Sequence, residues 1–319
     1  MKPIRWLSCL VAGAALLSPF CGAQAGAPQL KTGAPGYYRM MLGDFEITAL
    51  SDGTVDLEMA TLLTNTTAAK VKAALTRSFL KDPVETSVNG FLVNTGEKLI
   101  LIDAGAGALF GPTLGKLAAS LVAAGYQPEQ VDEIYITHMH PDHVGGLSSG
   151  DKLAFPNAIV RADRREAAYW LSQANLDKAP AEDKAFFRGV LAAVNPYVSA
   201  DRFKPFDGST VLTPGIRALA ARGHTVGHMV YVVENKGQRL VLWGDLMHVA
   251  AVQFADPAVT IRFDADSKAA AAQRKKEFAD AAKRGYWVGA AHLPFPGIGH
   301  LRSEGQGYTF VPANYALPR

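Results

Sequence analysis

The chain has 319 residues, of which 49% are hydrophobic, so it is long enough to bury a substantial core. Its 32 Lys and Arg residues against 29 Asp and Glu residues give a formal net charge of +3, and the sequence has no basic block and no interleaving of basic with aromatic residues. This balance argues against nucleic acid and anionic membrane surfaces as partners.

Residues 1–25 have the pattern of a secretory signal peptide. A positively charged start is followed by a short apolar stretch and by the small-residue cleavage site Ala23-Gln24-Ala25. Both cysteines, Cys9 and Cys21, fall within this segment. The sequence therefore predicts an exported protein, located in a bacterial periplasm, whose mature domain spans residues 26–319 without disulfides and does not bind a membrane after signal cleavage.

Strand and helix patterns alternate over the rest of the chain. Alternating and β-branched residues between Gly-containing turns predict strands over residues 38–41, 45–50, 87–94, 98–103, 133–137, 216–221, 229–234, 240–243 and 286–291. Apolar residues at helical spacing predict helices over 113–124, 163–173, 183–194 and 267–284. We expect Asp52-Gly53 to close the second strand, Asp163 to cap the second helix, and residues 61–69 to form a loop that leads into a further helix. Strands in both halves, with helices between them, predict one domain of the α/β (α+β layered) class, with two mixed sheets packed face to face and flanked by helices.

The most informative motif is the run Thr137-His138-Met139-His140-Pro141-Asp142-His143-Val144-Gly145-Gly146, which follows an apolar strand. Because side chains alternate along extended backbone, His138 and His140 point to one side. The turn forced by Pro141 lets Asp142 and His143 fold back towards the same point. Nitrogen ligands with one carboxylate suit zinc or a similar divalent ion.

Three further candidate ligands follow apolar strands in the second half of the chain: His224, Asp245 and His292. Strand ends that meet at one edge of a sandwich place distant residues around one point. The complete candidate set is His138, His140, Asp142, His143, His224, Asp245 and His292. Seven ligands are too many for one tetrahedral zinc and suit two ions that share a carboxylate. We expect two divalent ions per chain, with Zn²⁺ favoured and Mn²⁺, Co²⁺ or Fe²⁺ also compatible with the donors.

The His-X-His-X-Asp-His block, the Gly-His-Thr, the Gly-Asp and the late His resemble the metallo-β-lactamase superfamily of dinuclear hydrolases. Residues 34–40, 45–53 and 295–300 resemble its methyl parathion hydrolase subfamily and the lactone- and ester-cleaving relatives, among them dihydrocoumarin hydrolases. The resemblance implies an αββα sandwich and divides the ligands into two sites. The first would contain His138, His140 and His224, the second would contain Asp142, His143 and His292, and Asp245 would bridge them together with a water or hydroxide. Asp103 matches an early strand-end Asp of the superfamily, where it either supports a ligand loop or caps its own loop.

The resemblance also implies the chemistry. Two cations lower the pKa of a water from about 15.7 towards neutrality, so a metal-bridging hydroxide would attack a carbonyl or phosphoryl centre, with Asp142 and Asp245 as the catalytic carboxylates. The implied substrate is a small neutral aromatic compound, and the implied assembly is a homodimer. The candidate pocket residues are Leu62, Phe110, Trp170, Phe186, His248, Ile261 and Phe263. Each of the aromatic residues could equally belong to ordinary core packing.

His248 is the clearest departure from methyl parathion hydrolases, which have Leu there, and Ile261 and Phe263 differ as well. These differences favour aryl lactones such as dihydrocoumarin, or aryl esters, with phosphotriester cleavage as a weak side activity. The alternative is an enzyme that acts primarily on organophosphate triesters. A β-lactamase is disfavoured because many have Cys among their zinc ligands, and a non-catalytic zinc-binding module normally needs four ligands rather than seven. We expect His228 to be structural and His300 to donate a hydrogen bond near His292, neither of them as a ligand.

Overall fold

The computed structural model describes residues 27–30 and 33–316, so the predicted signal segment lies outside the described residues. From Pro35 onward the chain forms one compact unit. In the described ranges, none of the helices combines the length and hydropathy that crossing a bilayer requires. The strands, in chain order, are β1 Tyr37–Leu42, β2 Phe45–Leu57, β3 Leu63–Thr64, β4 Val84–Asn94, β5 Leu99–Ile102, β6 Glu133–Tyr135, β7 Ser148–Ser149, β8 Lys152–Leu153, β9 Ile159–Arg161, β10 Thr210–Thr213, β11 Ile216–Ala220, β12 Met229–Asn235, β13 Gln238–Leu242, β14 Thr260–Ile261, β15 Trp287–Gly289, β16 Ile298–Glu304 and β17 Gly307–Pro312. The α-helices are α1 Met59–Leu62, α2 Ala68–Arg77, α3 Leu117–Ala123, α4 Pro141–Val144, α5 Arg164–Trp170, α6 Gln173–Lys178, α7 Lys184–Ser199, α8 Ala250–Gln253 and α9 Ser267–Arg284.

Two mixed sheets form the centre of the molecule. One has the strand order β1-β2-β4-β5-β6-β9 and the other has the order β10-β11-β12-β13-β15-β16-β17. Neighbours in each sheet are mostly antiparallel, but β5, β6 and β9 run parallel to one another, as do β13 and β15. The parallel strands share the direction of their carboxyl ends, which matters for the site described below.

The layering follows from the alternation of side chains along single strands. In β5, Ile102 points into the apolar core between the sheets, whereas Leu101 points into a second core under α3 and α7. In β13, Leu242 points into the core between the sheets, whereas Val241 contacts a third core that includes Phe278 of α9. A strand that buries both faces needs a packed layer on each side. The predicted αββα sandwich is therefore confirmed.

Two predicted boundaries near the first sheet are wrong. The expected end of β2 at Asp52-Gly53 is instead a bulge, because the register with β4 shifts between Ser51 and Gly53 while the strand continues to Leu57. The helix expected from residue 113 begins at Leu117. Gly115, with φ of 80°, breaks the preceding backbone.

The helices of the middle segment also differ in extent. Asp163 caps α5 as predicted, since its side chain accepts from the backbone N–H of Arg165. The helix predicted over 163–173 ends earlier, at Trp170, and a second helix, α6, begins at Gln173 with Ser172 as its cap. Residues 61–69 contain the end of α1 and the short strand β3 before Thr67 caps α2, so the expected loop is partly ordered structure.

Candidate metal centre

The carboxyl ends of five strands meet at one edge of the sandwich. Asp103 follows β5, His138 follows β6 closely, and His224, Asp245 and His292 follow β11, β13 and β15. β11 runs in the same direction as β13 because each is antiparallel to β12. The parallel topology therefore gathers residues that are far apart in the sequence.

The first cluster contains His138, His140, His224 and Asp245, whose ligand atoms all lie within 4.8 Å of one another. The Nδ1 atom of His140 is 3.0 Å from Nε2 of His138 and 3.1 Å from Nε2 of His224. Oδ2 of Asp245 lies 3.6 Å from Nε2 of His138 and 3.4 Å from Nε2 of His224. Three imidazoles and one carboxylate oxygen thus converge on one point.

The second cluster contains Asp142, His143, His292 and again Asp245. Nε2 of His143 is 3.1 Å from Oδ1 of Asp245, and Nε2 of His292 is 3.1 Å from Oδ2 of the same carboxylate. Oδ2 of Asp142 lies 3.5 Å from each of these two imidazole nitrogens. Asp245 therefore belongs to both clusters, as the sequence analysis expected of a bridging residue.

Hydrogen bonds on the outer side of three ligand rings set the direction of their free nitrogens. Nδ1 of His143 donates to Oδ2 of Asp103 at 2.8 Å, Nδ1 of His224 donates to Asp264 at 2.9 Å, and Nδ1 of His292 donates to a backbone carbonyl, that of Ser87, at 3.0 Å. Since each proton is held on the outside, each Nε2 points its lone pair inward when the ring is neutral. This is the arrangement that metal-binding imidazoles require.

Asp103 supports more of the ligand segment than the single ring of His143. Its carboxylate accepts from the backbone N–H and the hydroxyl of Thr137, both at 2.8 Å, in addition to the ring of His143. The Thr137 hydroxyl in turn lies 3.1 Å from Nδ1 of His138. Of the two roles left open for Asp103, the contacts fit support of the ligand segment, because it contacts both ends of the His138–His143 run.

The electrostatics show that the clusters attract positive charge. Burial lowers the pKa of His138 and of His140 well below the ordinary value, so both are neutral. Burial alone would also lower the pKa of His143, but the carboxylates of Asp245, Asp142 and Asp103 hold it well above the ordinary range. In the same way, Asp245 and Asp264 raise the pKa of His224 to about 9 despite its burial. Without metal, protons supply part of the charge that the carboxylates require.

A cavity of about 80 Å³ opens onto the clusters, and its walls are largely apolar. It is lined by Val55, Leu57, Phe110, Leu114, His140, Asp142, Phe186, Asp245, His248, Phe263 and His292. Trp170 lines a neighbouring cleft of about 250 Å³ that shares His140, Phe186 and Phe263 with the cavity. Phe110 and Phe186 meet edge to face, with ring centroids 6.0 Å apart. Four of the seven candidate pocket residues therefore line the cavity itself.

The structure places Leu62 and Ile261 behind these walls, which corrects their expected position in the pocket. Ile261 is fully buried, and both residues pack in a small apolar core with Met59 and Val71. The pairing of β3 with β14 joins Leu63 to Ile261 and directs both towards that core. Val55 and Leu57 were missed because the sequence analysis ended β2 before them.

Two other histidines behave differently from the ligand candidates. His300 donates from Nδ1 to the carbonyl of Tyr286 at 3.1 Å and packs against Trp287 with the two rings tilted by 37°, so the expected hydrogen bond near His292 is wrong. His228 contacts the backbone of Asp245, a contact that the sequence analysis did not predict. Asp264 was also missed, because nothing in its local sequence distinguishes it from a loop residue.

Comparison with known proteins agrees with this geometry. The family model of the metallo-beta-lactamase superfamily matches residues 83–308, and the chain belongs to that superfamily. Its donor set is a dinuclear His/Asp site that fits the dizinc enzymes of this superfamily.

Individual proteins resemble this chain in structure or in sequence. The crystal structure of hydrolase AbOPH, in the beta lactamase superfamily, is 40% identical, with a TM-score of 0.84 over 89% of this chain and all of that one. AidC, a dizinc quorum-quenching lactonase in complex with a homoserine product, is 27% identical, with a TM-score of 0.82 over 88% of this chain and 99% of that one. An N-acyl homoserine lactonase of Bacillus cereus is 25% identical over 162 residues, which are 51% of this chain and 56% of that protein. The chain thus spans about half the length of the curated relatives it matches.

Proposed function

We propose that this chain is a dinuclear metal-dependent hydrolase that opens aryl lactones and cleaves aryl esters. The observation that carries the proposal is a pair of His/Asp clusters, joined by the single carboxylate of Asp245, at the base of a largely apolar cavity. A closed structural site would need four ligands and no adjoining cavity.

The donor set fits two divalent cations. Nε2 of His143 and Oδ1 of Asp245 are both buried without a hydrogen-bond partner in the described part of the chain, although they lie 3.1 Å apart. Once the second ring proton is lost, His143 keeps the proton on Nδ1, which donates to Asp103, and the lone pair of Nε2 then faces Oδ1 of Asp245 across this gap. A cation bound by both atoms would remove the repulsion. His138, His140 and His224 would hold one ion, Asp142, His143 and His292 the other, and Asp245 both.

The ions, when bound, would lower the pKa of a water and polarise the substrate oxygen. The chain's own residues position the reactants. Both Asp245 and Asp142 line the cavity, but Asp245 is buried and shared by the two clusters, whereas the Asp142 side chain is 20% exposed. Asp142 is therefore the carboxylate that can exchange a proton with substrate or solvent.

The cavity favours a neutral, flat substrate. Its apolar walls come from Val55, Leu57, Phe110, Phe186 and Phe263 and offer no cation for an anionic group. Aromatic rings pack favourably against one another in offset-stacked or edge-to-face arrangements, so these walls suit a substrate with a planar ring. A phenolate is a good leaving group that can depart without a strong general acid, which suits aryl lactones and aryl esters.

His248 is the residue that favours a carbonyl substrate over a phosphotriester. Burial lowers the pKa of His248 to about 4, so its ring is neutral; Nε2 lies 3.2 Å from Oδ2 of Asp245, whereas Nδ1 is buried without a hydrogen-bond partner among the described residues. The ring stacks on His292 with centroids 5.1 Å apart and lines the cavity. Its N–H can donate to a planar ester or lactone, which the Leu of methyl parathion hydrolases cannot do. The lactonase names of two relatives agree with carbonyl chemistry.

Steady-state kinetics on the zinc-loaded protein test the proposal. Dihydrocoumarin, phenyl acetate, an N-acyl homoserine lactone and methyl parathion would be compared with and without a chelator. We expect the highest kcat/KM for the aryl lactone, a weak phosphotriester activity, and loss of every activity after chelation. A higher kcat/KM for methyl parathion would overturn the proposed order and favour the organophosphate hydrolase.

A matched pair of variants tests the role of His248. We expect His248→Leu to lower kcat/KM for the lactone about tenfold, because one hydrogen bond to substrate is worth about 1.5 kcal/mol. The ratio of lactone to phosphotriester activity should fall with it. His300→Leu removes an imidazole that lies outside the cavity and should leave this ratio unchanged. Equal ratios in the wild type and in His248→Leu would contradict the assigned role.

A further inference from the structure

His228 contacts the metal centre without facing it. Its side chain is fully buried, just before β12 begins at Met229. Nδ1 lies 3.1 Å from the carbonyl oxygen of Ala221, and Nε2 lies 3.0 Å from the backbone nitrogen of Asp245. Since a carbonyl can accept only and a backbone N–H can donate only, the ring carries its proton on Nδ1 and accepts at Nε2.

The backbone of the same residue is tied to the neighbouring segments. The carbonyl of His228 accepts from the N–H of Ala221 at 2.9 Å, and the next N–H, of Met229, donates to the carbonyl of Thr137 at 2.8 Å. Ala221 precedes the ligand His224 by three positions, and Thr137 directly precedes the ligand His138. His228 therefore lies where three ligand-bearing segments meet.

The sequence makes room for this contact at Gly244. This residue has φ of 53°, and a Cβ atom added to it would lie 2.9 Å from Nε2 of His228 and 2.8 Å from the Thr137 side chain. A larger residue would separate the imidazole from the Asp245 backbone. Gly244 thus allows the bend that turns the N–H of Asp245 towards His228.

We propose that His228 is a positioning residue for the bridging carboxylate. By accepting the N–H of Asp245 in a fully buried setting, it sets the backbone from which the carboxylate reaches His143 through Oδ1 and His292 through Oδ2, both at 3.1 Å. A buried N–H without an acceptor would be costly, so loss of the imidazole would let the Asp245 loop rotate towards another acceptor. The inference rests on the metal centre proposed above, and it concerns metal affinity rather than substrate.

Three variants distinguish the effect of this hydrogen bond on metal affinity from the effect of side-chain packing. His228→Leu fills the space without an acceptor, His228→Gln restores an acceptor near the position of Nε2, and His300→Leu removes a histidine that also donates from Nδ1 to a carbonyl but lies away from both clusters. Zinc stoichiometry and affinity would be measured by competition with a chromophoric chelator. We expect His228→Leu to bind at least one ion about 10- to 100-fold more weakly, His228→Gln to recover part of that loss, and His300→Leu to match the wild type.

Two results would overturn the inference: wild-type affinity for both ions in His228→Leu, or an equal loss in the Leu and Gln variants, which would indicate packing alone. If His228→Leu does not fold, nitrogen NMR of the wild type decides instead. A protonated Nδ1, and a scalar coupling from Nε2 to the amide nitrogen of Asp245, are expected, and a proton on Nε2 would contradict the assignment. A wild type that binds two ions but hydrolyses no substrate would refute the proposed function while leaving this inference intact.

Discussion

The two ends of strand β6 both bury carboxylates, and they neutralise them in different ways. At the amino end, Glu133 accepts from Lys98 and from Nε of Arg161, the latter at 2.6 Å. At the carboxyl end, which leads to the metal centre, every ion-pair partner of Asp245 within the described ranges is an imidazole. Lys and Arg remain charged at neutral pH, whereas imidazoles are charged only when they bind a proton.

The charge of Glu133 is therefore fully paired, whereas that of Asp245 is paired only in part. Burial raises the pKa of Glu133, but Lys98 and Arg161 outweigh it and lower the pKa overall. Burial likewise raises the pKa of Asp245, and the ring of imidazoles, His292 first, outweighs it. The first site needs nothing from outside the chain. At the second site, Oδ1 of Asp245 and Nε2 of His143 still lack hydrogen-bond partners among the described residues, which fits a metal centre.

The largest effect should come from removing the cations or their shared ligand. We expect chelation to abolish hydrolysis and to lower the unfolding free energy by about 4 kcal/mol for each bound ion, about 8 kcal/mol for two, when free zinc had been at about 1,000 times the Kd of each site. Asp245→Asn should lose about a thousandfold in kcat/KM, since metal activation supplies several kcal/mol. Thermal unfolding with and without chelator, together with metal analysis, measures both effects.

Glu133→Gln provides the matched control for this comparison. Its chelator-induced shift in unfolding free energy should equal that of the wild type, whereas the shift in Asp245→Asn should be much smaller. An equal shift in all three proteins would show that the cations bind elsewhere, and the distinction between the two ends of β6 would then fail.

The next largest effect should follow from Asp103→Asn. With its oxygen at the position of Oδ2, the amide can still accept from the Thr137 hydroxyl and from His143, but its NH₂ group then faces the backbone N–H of Thr137, which loses its acceptor. We expect zinc affinity to fall about 10- to 100-fold, the usual cost of losing a partner of a metal-binding imidazole. Asp132→Asn, which also removes a carboxylate that accepts a backbone N–H, from Leu99, should leave zinc affinity unchanged. Equal affinity in the wild type and in Asp103→Asn would assign Asp103 to loop capping alone.

The residues that the sequence identified share one property: their chemistry is visible within a few positions. The run from His138 to His143 shows its spacing directly, and His224, Asp245 and His292 each follow an apolar strand. The partners that orient them could not be found in this way. Ser87, which holds His292, lies 205 positions away, and Asp264, which holds His224, lies 40 positions away in a loop without a motif. Such contacts depend on how the sheets pack rather than on local pattern.

The same limit explains the error at Gly53. A Gly after Asp normally indicates a turn, and here a bulge in the register with β4 lets the strand continue. Val55 and Leu57 consequently reach the cavity, which the sequence analysis had built from distant aromatic residues. The metal ligands were therefore easier to predict than the pocket, because a ligand is recognised by residue type and a pocket wall only by position.

Asp52 is a third buried carboxylate, and backbone N–H groups take the place of the cationic side chains at Glu133 and of the imidazoles at Asp245. It accepts three backbone N–H groups, from Ala106 at 3.0 Å and from Gly115 and Leu117 at 2.9 Å, and so closes the loop that carries Phe110. Burial is the main reason that its pKa is raised. Asp52→Asn turns an amide donor towards these N–H groups and should cost about 1–3 kcal/mol of unfolding free energy.

The effects of Asp52→Asn should be confined to this loop, where they can be measured. Hydrogen exchange should accelerate at the amides of Ala106, Gly115 and Leu117, and KM should rise more than kcat falls, because Phe110 lines the cavity but is not a candidate ligand. Bound zinc should stay at two ions per chain. Loss of zinc in Asp52→Asn would show instead that the loop supports the metal centre itself.

The smallest effect is expected at Glu133. Its lowered pKa means that the ion pair stabilises the fold fully above the unfolded-state pKa, near 4.5, and that this stabilisation is lost as the pH falls through the lower folded-state pKa. Because the Lys98 and Arg161 side chains are 42% and 32% exposed, screening by solvent limits the contribution. We expect Glu133→Gln to lose about 1 kcal/mol at pH 7 and to approach the wild type at pH 3, as measured by urea unfolding. If the difference in unfolding free energy between the wild type and Glu133→Gln stayed constant from pH 7 to pH 3, Glu133 would act through packing rather than charge. The amino end of β6 would then no longer be the charged counterpart of the metal centre.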